Sequence, residues 1–160
     1  MSLLPQCPLR DRLVRKFMHF CWRFSRPATL GVRAAVFDAQ GRVFLIKHSY
    51  VTGWHMPGGG VETGETVMTA LKRELAEEGN IELHGEPVLH GIFFNARVSR
   101  RDHVLLYVVR AFRQPSPPVP GYEIIAHGFF APDALPEGTS RPTRERLAEI
   151  LEGRPRSEIW

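Results

Sequence analysis

The chain has 160 residues, 43% of them hydrophobic, and a formal net charge of +4. That is enough chain and enough apolar side chain for one domain with its own core, well above the size at which disulfides must stand in for one. The two cysteines, Cys7 and Cys21, have no CxxC or Cys/His cluster around them, which argues against a zinc site or disulfide framework and for a reducing, cytoplasmic setting. No stretch approaches the ~18 apolar residues of a membrane span.

The charge is uneven. Residues 1–30 hold Arg10, Arg12, Arg15, Lys16, Arg23 and Arg26 against Asp11, a net +5, which leaves −1 for the other 130. From Leu9 to Phe24 the apolar residues Leu13, Val14, Phe17, Met18, Phe20, Cys21 and Phe24 recur at steps of three and four, the spacing of one helical face. Residues 1–29 therefore read as a basic amphipathic helical arm. Its apolar face is expected to dock on the domain or on a second subunit, as in a homodimer; contact with a membrane surface or with RNA is the less favoured reading.

"TLGVRAAVFDAQGRVFLIKH" predicts two strands, Leu30 to Phe37 and Arg42 to Lys47, joined as a hairpin by the turn formers Asp38 to Gly41. "WHMPGGG" predicts a loop, with Thr66 as N-cap of a helix running to about Gly79. Val88 to Val98 and His103 to Phe112 predict a second hairpin, "QPSPPVPG" an irregular connection, and "EIIAHGFF" a further strand. "RPTRERLAEILEG" predicts a closing helix with Leu147, Ile150 and Leu151 inward, and residues 153–160 a tail. Strands and helices in this order imply an α/β fold in which helices cover a mixed sheet.

The helix after the glycines carries the chemistry. At about 100° per residue with Val67 at zero, Met68, Leu71 and Leu75 fall at ~100°, ~40° and ~80° and define the buried stripe. On the same scale Glu78 falls at ~20°, Glu74 at ~−20° and Glu77 at ~−80°, so Glu74 and Glu78 lie on or beside the inward side. A solvated charge run would sit opposite. Glu77 and Glu78 also occupy the last turn, where the helix dipole disfavours anions by about 0.3–1 kcal/mol each. Two carboxylates ~6 Å apart repel by roughly 3 kcal/mol at an effective dielectric near 20. A divalent cation offsets this directly. Hard oxygens without histidine or thiolate point to Mg²⁺ or Mn²⁺, and Mg²⁺ favours phosphate oxygens as its remaining ligands. The seven histidines lack ligand spacing in the sequence and are assigned to no metal. A P-loop is excluded, because Glu65 stands where that motif needs lysine after its second glycine.

These residues resemble the Nudix box: Gly, five residues, Glu, seven residues, then Arg-Glu-hydrophobic-any-Glu-Glu-any-Gly-hydrophobic. Gly59, Glu65, Arg73, Glu74, Leu75, Glu77, Glu78 and Ile81 fit; Asn80 stands in the place of the last glycine. Asn tolerates the left-handed conformation of a helix C-cap, so this departure is mild. "GWHMPGGGVE" resembles the family's approach to the box, and the likeness spans residues 30–152.

The resemblance implies a Nudix α/β/α sandwich that cleaves the pyrophosphate bond of a nucleoside diphosphate linked to another moiety, by water attack on phosphorus with Mg²⁺ or Mn²⁺. It implies Glu74, Glu77, Glu78 and the Gly58 carbonyl as metal ligands, and Arg73 as the group that orients a carboxylate, with Glu65 its bidentate partner. The base is a box glutamate or a later one, for which Glu123 is the candidate. Trp54 and Gly59 are candidates for substrate contact. Two alternatives stand beside this: a Nudix-like sensor that binds a nucleotide without cleaving it, and a hydrolase of RNA 5′ ends. The isomerase branch needs an active-site cysteine, and both cysteines lie in the arm.

Overall fold

The structure is a computed structural model describing residues 16–18 and 28–160. Residues 16–18 are helical; the rest of the helix expected in the arm lies outside the described residues. Over 28–160 the order is β1 (Thr29–Val36), β2 (Val43–His48), α1 (Val67–Gly79), β3 (Glu82–Leu83), β4 (Val88–Phe94), β5 (Asp102–Val109), β6 (Phe112–Arg113), β7 (Ile124–Phe130) and α2 (Arg141–Glu152).

Strand parity builds the layers. Val32, Ala34 and Val36 of β1 and Phe44 and Ile46 of β2 pack with Ala70, Leu71 and Leu75 of α1. The alternate residues Ala35, Phe37, Val43 and Leu45 pack with Met56, Phe93 and Leu147, the last from α2. Both faces of these strands are buried, one under each helix, so the arrangement is an α/β/α sandwich.

The sheet is mixed and split. β1 runs parallel to β5, which pairs antiparallel with β4; β2 pairs antiparallel with β7; β3 with β6. The expected hairpin of β4 and β5 is present. The expected hairpin of β1 and β2 is not: the two touch through the single bridge Phe37–Val43 and then enter different sheets. The turn itself forms, since Asp38 Oδ1 accepts from the N–H groups of Gln40 and Arg42 at 3.0 and 2.8 Å. The strands then separate because β5 occupies one edge of β1 and the glycine-rich loop the other. Val32 N–H donates to Gly59 O, Ala34 N–H to Pro57 O and Val61 N–H to Leu30 O, at 2.8–2.9 Å. Earlier in the same loop, His55 and Ile46 exchange two backbone hydrogen bonds of 2.9 Å. Residues 54–61 thus form the seam between the two larger sheets.

α1 begins as predicted, with Thr66 Oγ1 accepting from Thr69 N–H, and ends with Asn80 at φ 50°, ψ 40°, left-handed. Asn80 does more than stand in for glycine. Its Nδ2 donates to the carbonyl and hydroxyl oxygens of Ser116 at 3.0 and 2.9 Å, and Gln114 Nε2 donates to Gly79 O at 2.6 Å. The proline-rich segment leading to Glu123 is thereby tied to the end of the carboxylate helix.

On α2, Leu147 is inward, but Leu151 is 42% exposed, contrary to expectation. The buried arc is rotated toward Arg146 and Glu149, because residues 153–160 fold back along β4. Ile159 bridges Phe94, and the Trp160 ring stands edge-on to Phe93. Arg146, 1% exposed, pairs with Glu149 at 2.7 Å, donates to Ile159 O at 2.6 Å and lies over the Phe93 ring. Removing one partner of such a pair leaves a buried charge uncompensated. Arg146→Ala should therefore cost about 3 kcal/mol in chemical denaturation; a change below ~1 kcal/mol would show that the clamp is dispensable. No helix among the described residues is long and apolar enough to cross a membrane.

Candidate active site

Successive turns of α1 place Glu74 and Glu78 beneath successive glycines of the seam. Gly58 N–H donates to Glu78 Oε2 at 2.6 Å. At Gly59 a Cβ would stand 2.3 Å from Glu74 Oε1, so only a residue without a side chain leaves that carboxylate its place. Glu78 is 6% exposed. Burial pushes its carboxyl up to about 7, with Glu74 and Glu123 adding to the rise and the Gly58 N–H and Arg33 opposing it.

Arg73 gathers the acids around it. Its Nε and Nη2 donate to the two oxygens of Glu65 at 3.1 Å, Nη1 donates to Glu74 Oε1 at 2.7 Å, and Nη2 also reaches Gly60 O at 3.1 Å. The two-pronged Arg73–Glu65 grip expected from the sequence is formed, and it holds the Glu65 carboxyl below its usual range. Glu77 stands apart. Its side chain is 61% exposed and meets Arg73 only at 3.4 Å.

The β2–β7 register brings in the remaining acid. His48 pairs with Ile124, and Ser49 N–H donates to Glu123 O at 2.9 Å, which sets Glu123 beside His48. His48, Glu78 and Glu123 each offer a ligand atom, and the three atoms lie within 4.8 Å of one another. Tyr50 O–H donates to Glu123 Oε1 at 3.0 Å. Burial, with Arg33 and His55 nearby, holds the His48 imidazole below its usual pKa.

The sequence assigned no role to His48. Ligand spacing along the chain could not reveal it, since its partners are far away in sequence, but parity could: Phe44 and Ile46 face α1, and His48 is the next residue of that set. Trp54, a candidate for substrate contact, packs its ring edge-on against Phe130 at 4.9 Å, with the core beneath α2. For Gly58, the contact found is made by its N–H.

The donor set suits a divalent cation. Glu74 lies under a glycine that a side chain would close, and Glu78 is a buried carboxyl with no cationic side chain bonded to it. His48 turns a buried imidazole toward it, with Nε2 3.5 Å from Glu78 Oε1. From Gly59 and Glu65 opens a groove of about 1290 Å³, lined also by Gly60, Asn95, Arg97 and Arg141. It is large enough for a nucleotide-sized ligand.

Comparison with known proteins gives the family. The NUDIX domain model matches residues 27–152. The RNA pyrophosphohydrolase of Francisella philomiragia is 40% identical over 58 residues, 36% of this chain and 37% of that protein, so the match spans little more than a third of that relative. Among solved structures, a MutT NUDIX hydrolase from Burkholderia pseudomallei is 30% identical with a TM-score of 0.67, covering 78% of this chain and 98% of that one. An ADP-ribose pyrophosphatase from Streptococcus suis is 25% identical with a TM-score of 0.62, covering 84% and 96%. With the acid helix, its arginine and the glycine seam all within the matched span, the chain belongs to the NUDIX family.

Proposed function

We propose that this protein is a metal-dependent hydrolase that cleaves the pyrophosphate bond of a nucleoside diphosphate linked to another moiety. The observation that carries this is the placement of Glu74 and Glu78 beneath Gly59 and Gly58, with Glu123 closing on Glu78. Glu74 and Glu78 would hold the cation, Mg²⁺ or Mn²⁺, and it would supply Lewis acidity there. Glu123 takes the proton of the attacking water at its carboxylate as the water oxygen bonds to phosphorus and the bridging P–O bond breaks, releasing a phosphate. Arg73 holds Glu65 and Glu74 in place. The test is turnover of a panel of diphosphate compounds with each metal, read as monophosphate products. Metal binding without turnover of any compound would favour a nucleotide sensor.

Arg73→Lys probes the positioning. An ammonium is a point charge and cannot grip both Glu65 oxygens and Glu74 together. A loss of about 10–100-fold is expected, concentrated in the metal concentration needed for half-maximal rate. An unchanged metal dependence would remove Arg73 from the assembly.

A second reading, hydrolysis at an RNA 5′ end, is favoured by the name carried by the curated relative and by Arg97 and Arg141 in the lining of the groove. Activity on RNA should then fall steeply with salt while activity on a free nucleotide does not. Equal salt responses exclude it.

A further inference from the structure

Among the described residues, one group of three or more His, Cys, Asp or Glu side chains converges closely enough to hold a metal ion, and it contains a histidine. His48 is 6% exposed, on the α1 side of β2, and its Nε2 faces Glu78 Oε1 at 3.5 Å. That is too long for a good N–H···O bond, whose usual length is about 2.9–3.0 Å. Nδ1, on the other side of the ring, has no partner at all. A buried imidazole without a good hydrogen bond costs roughly 1–3 kcal/mol, and nothing in the core requires a polar ring here: Phe44 and Ile46 fill the preceding positions of the same face. The spacing has another meaning. Two donors bonded to one cation at ~2.1 Å, at ordinary coordination angles, stand ~3.0–3.4 Å apart. The Nε2–Oε1 separation is close to that. Glu123, held by Tyr50 and by its register with β2, faces the same point from the third side.

We propose that His48 donates an imidazole nitrogen to the cation held by Glu78, making this a mixed nitrogen–oxygen site that takes Mn²⁺ or another first-row transition metal in preference to Mg²⁺. Imidazole suits transition metals, whereas Mg²⁺ is served by oxygen donors and water. The register shift between Lys47 and His48 falls on β7, where Ile125 is the extra residue, and it sets Ile124, with Glu123 next to it, beside His48. The inference rests on the reading of Glu78 as a metal ligand and adds the donor that sets which metal is taken.

The experiment is pulsed electron paramagnetic resonance of the full, tag-free chain loaded with Mn²⁺, reading hyperfine coupling to ¹⁴N. Coupling is expected in the wild-type protein and should change to the ¹⁵N pattern when histidine is isotopically labelled, a control that needs no variant to fold. It should vanish in His48→Gln and persist in His55→Gln. By titration, His48→Gln should weaken Mn²⁺ binding about 10–100-fold and Mg²⁺ binding less than ~3-fold. Bound Mn²⁺ without nitrogen coupling, or coupling that survives His48→Gln, overturns the proposal. Should that Mn²⁺-loaded protein still turn over a diphosphate, the hydrolase reading stands alone; a chain that binds no Mn²⁺ at all loses both.

Discussion

Glu78→Gln is expected to abolish turnover and, in the absence of metal, to stabilise the fold. The loss of activity should be about 10³-fold or more in kcat, the scale set by removing a group that carries charge or a proton in the reaction. Stability moves the other way because of where the carboxyl sits. In the unfolded chain it titrates near its ordinary value of 4.5; in the fold, burial raises it to about 7. Between those values the unfolded chain has already released a proton that the folded chain still holds. Folding then binds a proton, and stability falls as pH rises through this window. Below it both states are neutral and no penalty exists. Above it the penalty is complete, on the order of 3 kcal/mol. Glutamine carries no charge and keeps a side-chain oxygen for the Gly58 N–H. Melting temperatures in chelator should show the wild-type protein losing more stability than Glu78→Gln between pH 5 and pH 8. Adding Mg²⁺ or Mn²⁺ at pH 8 should then raise the wild type and leave the variant where it was. Wild-type turnover by Glu78→Gln would remove the central residue of the proposed site.

The same opposition explains why this helix was readable. Glu74, Glu77 and Glu78 are set by a local period, so their order of burial follows from the sequence: Glu78 buried, Glu74 half-buried, Glu77 in solvent. The caps were readable for the same reason, Thr66 by its side chain and Asn80 by its tolerance of positive φ. What stayed hidden depends on pairing between distant segments. β1 and β2 have the composition and turn of a hairpin, yet the loop after β2 returns to take the edge of β1 that β2 would need. The meeting of His48 with Glu123 depends on the register of β2 with β7, across the proline-rich connection that no periodicity describes. Leu151 lost its place in the core to a clamp whose other half is Ile159. The packing of Trp54 on Phe130 depends in the same way on a residue of β7 that lies far off in sequence.

Gly58→Ala should lose both stability and activity, and the contrast with Gly59→Ala tells which glycine serves the fold. Gly58 has φ +136°, a conformation closed to side-chain-bearing residues, and a Cβ there would stand 2.1 Å from Val32 O and 2.9 Å from Arg33 Cα. Those are backbone atoms of a strand held by β5 on its other edge, so neither side can give way cheaply. The seam must detach from β1, and with it goes the N–H that meets Glu78. The expected cost is about 4–5 kcal/mol, a fall of roughly 10–20 °C in melting temperature, together with loss of turnover. At Gly59 the obstacle is different. φ is not in the left-handed range, and the Cβ meets the carboxylate of Glu74, the far end of a side chain that can swing aside. Gly59→Ala should hold its stability within ~1 kcal/mol while metal affinity and kcat fall about 10–100-fold, since what moves is a proposed ligand. Equal losses of stability in the two variants would mean that Glu74 is fixed as rigidly as β1, and that Gly59 belongs to the scaffold and not to the site.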